Sequence, residues 1–282
     1  MAPGRTAERG APRRSLSDRD RDPHGAAARV TRVARNLREL AGRAVFGALG
    51  PRRFHHLLGA LRARRSGRLD PVELPLIRDT TDRFHVLSYT AGALDDTFWF
   101  GLPIQKSPLD CWVYQEILFE LRPDLIVETG TYLGGSALFF AHICDLLGHG
   151  EVVTIDQQRR GTVDHPRVTQ LIGDALSREI LDAVTERAAK ARRVLVALDD
   201  DHTAPHVLRE LAAYGPLVTP GSYLVVEDTN VNGHPVMPGH GPGPHEAVET
   251  FLRTNEDFII DRSREKFLLT YFPGGWLRKR AR

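Results

Sequence analysis

The densest potential chemistry in this 282-residue chain lies in two acidic runs, Asp199-Asp200-Asp201-His202 and Glu227-Asp228-Thr229-Asn230. Each ends a short apolar stretch that reads as a strand, Val194–Asp199 and Tyr223–Glu227. In a doubly wound sheet those two strand ends are neighbours at the carboxyl edge. Several carboxylates then share a small volume, repel one another and resist ionisation. A hard divalent cation resolves this, and oxygen ligands that leave positions for water and substrate suit Mg²⁺. The candidate ligands are Asp199, Asp201, Glu227 and Asp228, with Asp200 read as part of a solvated turn. His202 follows Asp199 by three residues, so a helical turn brings it to the same pocket. An imidazole with a near-neutral pKa beside a cation-bound hydroxyl is a natural general base.

A second constellation lies upstream. The strand-like run Leu125-Ile126-Val127-Glu128 passes into Thr129-Gly130-Thr131-Tyr132-Leu133-Gly134-Gly135-Ser136, and an apolar helical stretch follows. Gly130 allows a tight turn and close ligand approach, while Gly134 and Gly135 open a helix N-terminus whose N–H groups face the ligand. The spacing is not G-x-G-x-x-G, because Tyr132 stands where the second glycine belongs, so a pyrophosphate is disfavoured. Glu128 suits a cation, such as the amino group or sulfonium of S-adenosylmethionine. The candidate donor-binding residues are Glu128, Gly130, Thr131, Gly134, Gly135 and Ser136. Asp156 ends the next strand and is placed to accept ribose hydroxyls. Asp174, after Gly173, meets either the adenine amino group or the start of the helix near Ser177. Lys106, Trp112 and Tyr114 precede the sheet and are candidates to line the site or to pack in the core.

The elements that must hold these residues alternate. Strands are expected at Val152–Asp156 and Val168–Ile172, helices at Ser136–Leu147, Ser177–Lys190, Pro205–Ala213 and His245–Arg253, and closing strands at Phe258–Ile260 and Phe267–Phe272. This is an α/β pattern with a mostly parallel sheet and helices on both faces. The Gly- and Pro-rich stretch Asn230–Pro244, with His234 and His240, is a candidate lid over an acceptor. Residues 1–25 read as a disordered Arg-rich tail, 26–74 as a basic helical extension, and 75–282 as the catalytic domain. Residues 1–65 hold 16 Arg against 5 Asp or Glu, whereas the chain as a whole is only +2, so a basic head joins an acidic body. The head suits contact with an acidic surface or self-association into a homo-oligomer. Two cysteines, Cys111 and Cys144, are too few for a disulfide framework or a zinc ribbon. No apolar run spans a bilayer and no secretory leader is visible, so the cytoplasm is the expected compartment.

Several of these motifs, in order, resemble the cephalosporin hydroxylase and rhamnosyl O-methyltransferase family. They are Arg122-Pro-Asp-Leu-Ile-Val-Glu-Thr-Gly-Thr131, Gly134-Gly135-Ser136, Leu198 to His202 with the following HVLREL, PLVTPGSYLVVEDT, NGHPV with GPGPHEAV, and REKFLLT with GGWLRK. The likeness covers about residues 75–280. It implies a Rossmann-like class I methyltransferase sheet with an antiparallel last strand, using S-adenosylmethionine and Mg²⁺ to methylate a hydroxyl of a glycoside or secondary metabolite. It also implies that Asp199 and His202 supply a metal ligand and the base, that Glu227 and Asp228 supply further ligands, and that Asp201 rivals Asp199. A non-catalytic accessory role in a cephalosporin-type hydroxylation or methoxylation system is the alternative. No iron triad of two His and one carboxylate is evident, and no nucleic-acid partner is expected, since no Asn-Pro-Pro-Tyr-like motif occurs.

Overall fold

The computed structural model describes residues 73–281, and the fold below is that of the unit beginning at Pro75. The expected tail and the basic extension up to residue 72 lie outside the described residues. Helix α1 (Glu73–Thr90) leads into a hairpin of β1 (Phe98–Trp99) and β2 (Leu102–Pro103), then α2 (Pro108–Leu121). The order continues β3 (Leu125–Thr129), α3 (Gly135–Leu147), β4 (Glu151–Asp156), β5 (Val168–Ile172), α4 (Arg178–Ala188), β6 (Val194–Leu198) and α5 (Ala204–Tyr214). It ends with β7 (Tyr223–Val226), α6 (Pro244–Thr254), β8 (Phe258–Ile260) and β9 (Trp276–Lys279).

Seven strands form one sheet in the order β5-β4-β3-β6-β7-β9-β8. All neighbours pair in parallel except β9, which runs antiparallel to both β7 and β8. The chain builds outward from β3 to β5 and then returns to β6 on the other side of β3. That reversal opens a crevice at the carboxyl ends of β3 and β6.

The central strands are short β-branched runs because both of their faces are covered. Leu125 and Val127 of β3, with Val194, Val196 and Leu198 of β6, face one core, which Val184 of α4, Leu211 of α5 and Val248 of α6 complete. Ile126, Leu195 and Ala197 point the other way, into a second core with Ile117 of α2 and Phe140 of α3. The period of two thus divides each strand between two helical layers. Helix boundaries follow local chemistry. Ser107 caps α2 through its hydroxyl with Pro108 in the first turn, and Ser177 does the same for α4 by accepting from the Ile180 amide.

One expected strand is absent. Phe267–Phe272 is not in the sheet, and the antiparallel closing strand is Trp276–Lys279. The buried Asp110 carboxylate of α2 accepts from the Thr270 hydroxyl (2.6 Å) and from the Tyr271 amide (2.9 Å). Those groups therefore bond to a helix side chain instead of a neighbouring strand.

Candidate active site

A cavity of about 540 Å³ opens at the carboxyl ends of β3, β4, β6 and β7. One side of it is made of backbone. Gly130 has φ +88, and a Cβ there would lie 1.9 Å from the backbone oxygen of Asp199. Only glycine lets the turn after β3 close against the exit of β6. At Gly135 a Cβ would lie 2.2 Å from the Pro103 oxygen, so the start of α3 also packs against β2 without a side chain. Tyr132 takes a left-handed conformation (φ 46), and its amide donates to Asp156 Oδ2 at 2.8 Å. The Gln158 amide donates to Asp156 Oδ1 at 3.0 Å, so both carboxylate oxygens are held toward the cavity by backbone N–H groups. Arg160 lies over the Tyr132 ring, 5.6 Å from its centroid, at the rim.

Gly130, Thr131, Gly135, Ser136 and Asp156 line this cavity. Three other donor-site candidates do not. Gly134 acts as the left-handed start of α3. Asp174 is used locally, its Oδ1 accepting from the Leu176 amide at 2.9 Å, while Ser177 caps α4. Glu128 is fully buried beneath the turn, where it accepts from Thr154 Oγ1 at 2.7 Å, and Thr154 in turn meets Thr131 Oγ1 at 2.7 Å. Burial pushes its carboxyl up to about 7. The direct contact with a cationic ligand expected of Glu128 is therefore replaced by a second layer that supports Thr131.

The other side of the cavity is made of charged side chains. β6 and β7 are adjacent and parallel, so Asp199 and Glu227–Asp228 emerge together. Lys106, from the segment before α2, donates to Asp199 Oδ2 at 2.9 Å and to Glu227 Oε2 at 2.5 Å. Tyr114 of α2 donates to Glu227 Oε1 at 2.6 Å. Burial opposes the charge on Lys106, but Asp199, Glu227 and Glu128 together hold its pKa well above the ordinary value. Burial and the facing Asp199 push Glu227 the other way, well above a normal carboxyl. Two acids thus share one ammonium.

His202 Nε2 lies 3.0 Å from Asp228 Oδ2 and 3.4 Å from Asp199 Oδ1, with no aligned hydrogen bond to either. One ligand atom each from Asp199, His202 and Asp228 falls within a 4.8 Å cluster. Asp228 reaches it from a left-handed backbone (φ 51), an uncommon conformation outside glycine. Burial works against the imidazolium, yet the two carboxylates push His202 up to about 11. The near-neutral base expected from spacing alone is therefore a cation in this arrangement. Carboxylates converging on ammonium and imidazolium, with an orphaned nitrogen between them, fit a hard divalent ion. Among the described residues the cluster whose atoms could hold one is Asp199, His202 and Asp228, and Glu227 stands beside it with its two oxygens on Lys106 and Tyr114. Asp201 also lines the cavity, but its Oδ1 accepts from the Thr203 amide at 2.8 Å and shapes the entry to α5.

A second cluster, Asp200, His206 and Glu210, sits behind the first. Arg209 approaches His206 Nδ1 at 3.3 Å. An arginine can only donate, so Nδ1 accepts and Nε2 carries the proton toward Asp200, 3.2 Å away. Asp200 and His206 thus pair beside the Asp199–His202 turn with the Nδ1 lone pair committed, whereas neither oxygen of the buried Glu210 has a hydrogen-bond partner. Of the flanking candidates, Trp112 is exposed and bonds Glu116, away from the cavity. The stretch Asn230–Pro244 does not line the cavity either. Glu246 of α6 ties it down by accepting from Asn232, His234 and the Gly243 amide. His85 and Tyr89 of α1 also meet this stretch, at Asn230 and Met237.

Residue spacing singles out neither the contacts of Lys106 nor the Asp200–His206–Glu210 cluster. A signal for Lys106 was present: the chain has 4 lysines among its 38 basic residues, and this one stands between apolar residues and a helix cap. The cluster had only the i, i+4 spacing of His206 and Glu210.

Residues 92–280 match the family described as Rhamnosyl O-methyltransferase/CmcI. The rhamnosyl O-methyltransferase of Mycobacterium bovis (strain BCG / Pasteur 1173P2) is 38% identical over 204 residues, covering 70% of this chain and 83% of that one. The Mycobacterium leprae protein of the same name is 37% identical over 206 residues, covering 70% and 89%. Among solved structures, CmcI with Mg-SAM is 25% identical with a TM-score of 0.52, covering 66% of this chain and 78% of that one. With the sheet order and the site geometry, these matches show that the chain belongs to the rhamnosyl O-methyltransferase/CmcI family of S-adenosylmethionine-dependent O-methyltransferases.

Proposed function

We propose that the protein methylates a hydroxyl of a sugar unit, on a glycosylated natural product or glycolipid, with help from Mg²⁺. The observation that carries this reading is the convergence of Asp199, His202 and Asp228 in the cavity that the Gly130 turn also lines. The rhamnosyl names of the relatives support a glycoside acceptor, and the Mg-SAM held by CmcI supports the cation. The donor side is lined by Gly130, Thr131, Gly135 and Ser136, with Asp156 oriented to accept ribose hydroxyls. Asp199, Glu227 and Asp228 would hold the divalent ion, which would supply Lewis acidity and positive charge beside the acceptor oxygen. His202 Nε2 takes the hydroxyl proton as the acceptor oxygen bonds the methyl carbon and the donor's sulfur–methyl bond breaks, releasing S-adenosylhomocysteine. The rest of the work is positioning two bound reactants in line. The free thiols of Cys111 and Cys144 support a reducing compartment such as the cytoplasm. Among the described residues no helix is long and apolar enough to cross a membrane.

The test is transfer of labelled methyl from S-adenosylmethionine to a panel of rhamnosides and other glycosides, with Mg²⁺ and with a chelator. Transfer is expected to need the cation and to fall by roughly 10²–10³ in Asp228→Asn, the size of loss typical when charge stabilisation is removed. Full transfer in chelator by both proteins would refute the assisted mechanism.

A further inference from the structure

Lys106 is 3% exposed, and its ammonium lies between the oxygens of Asp199 and Glu227. We propose that Lys106 is the resident counter-cation of this pair and that a divalent ion binds the β6–β7 edge by displacing it, so that Lys106 sets the metal affinity. This rests on the reading of that edge as a Mg²⁺ site.

Asp199 and Glu227 face each other in a buried corner, and without a cation they would repel at low effective dielectric. Tyr114 offers only a neutral hydrogen bond to Glu227, so Lys106 holds the corner together. A compact ammonium fits between two single oxygens, and this chain otherwise uses arginine, 34 of its 38 basic residues. An ammonium and a dication cannot share the same two oxygens without strong repulsion. Lys106 also lines the cavity, and its long stem gives the displaced ammonium a path into that space. The metal-free enzyme thereby keeps its acidic corner folded, at the expense of affinity for the ion.

The probe is Mn²⁺, with free ion followed by electron paramagnetic resonance on the full chain as wild type, Lys106→Met and Lys106→Arg. Lys106→Met is expected to bind about tenfold more tightly or better, and Lys106→Arg to stay within about threefold of wild type, because the competing charge is retained. Binding by Lys106→Met alone would also support displacement. Wild-type binding with unchanged or weaker binding by Lys106→Met would overturn the proposal and leave the metal reading standing. No binding by any of the proteins would sink both. If Lys106→Met fails to fold, lysine acetylation of the wild type read by mass spectrometry decides the matter. Lys106 should be protected without Mg²⁺ and modified at saturating Mg²⁺, with the exposed Lys190 as internal reference. Protection that saturating Mg²⁺ leaves unchanged would overturn displacement.

Discussion

The two sides of the cavity solve the problem of buried carboxylates in opposite ways. On the glycine-turn side, Asp156 is answered by two backbone amides, those of Tyr132 and Gln158 in the turns that follow β3 and β4. On the β6–β7 side, Asp199, Glu227 and Asp228 are answered by two side-chain cations, Lys106 and His202, both on rotatable stems. Backbone donors give a fixed, satisfied surface suited to holding a ligand in one pose. Side-chain cations leave a surface whose charge balance can be redistributed when an ion or a proton arrives. Under the proposed function, one side positions the reactants and the other handles proton and cation chemistry. The two sides meet where the missing Cβ of Gly130 makes room for the Asp199 carbonyl and where the Asp199 amide donates to the Thr129 oxygen at 3.1 Å.

The largest test of this division strikes that junction. Gly130→Ala places a Cβ 1.9 Å from the Asp199 oxygen at φ +88, so both sides should fail together. S-adenosylhomocysteine binding by calorimetry should be lost along with activity, and thermal unfolding should come earlier. Retention of wild-type affinity would mean that the two sides are not joined there. Next in size, His202→Gln should lower kcat by about 10²–10⁴ while leaving S-adenosylhomocysteine affinity near wild type. An equal loss of affinity would erase the separation of roles. The smallest effect comes from Glu246, which repeats the backbone-answered solution outside the cavity. Burial opposes its ionisation, but the Gly243 amide, His234 and Asn232 outweigh that and hold its carboxyl down at about 2. Its folded pKa is thus below the unfolded value, so the stability it adds is present above pH 4.5 and is lost as pH falls through about 2. Glu246→Gln should lower Tm at neutral pH by about 2–4 °C, the shift that a loss of about 1 kcal/mol gives a domain of this size. The gap should narrow as the pH is lowered below 4.5. A gap that is constant down to pH 2.5 would show that hydrogen bonding to the ionised carboxylate is not what stabilises the Asn230–Pro244 stretch.

Much of the architecture was legible in the sequence because it depends on local periodicity. Runs such as Leu125–Val127 and Val194–Leu198 are apolar throughout, as strands covered on both faces require, and Ser107 and Ser177 mark the starts of α2 and α4. The acidic strand ends and the glycine turn were equally visible, since each is a contiguous motif whose place follows from the sheet. The tertiary structure alone decided which carboxylates face the cavity and what answers them. Glu128 adjoins the turn in sequence, yet the pleat of β3 sends its side chain under the sheet edge. Phe267–Phe272 is an apolar and aromatic run like a strand, yet Asp110, some 160 residues earlier, binds its Thr270 hydroxyl and Tyr271 amide. Lys106 and Glu227 are 121 residues apart, and no periodicity relates them. Local pattern reports how each segment is covered. The electrostatics of the site depends on long-range partners, and these are set only when α2 packs across the ends of β6 and β7.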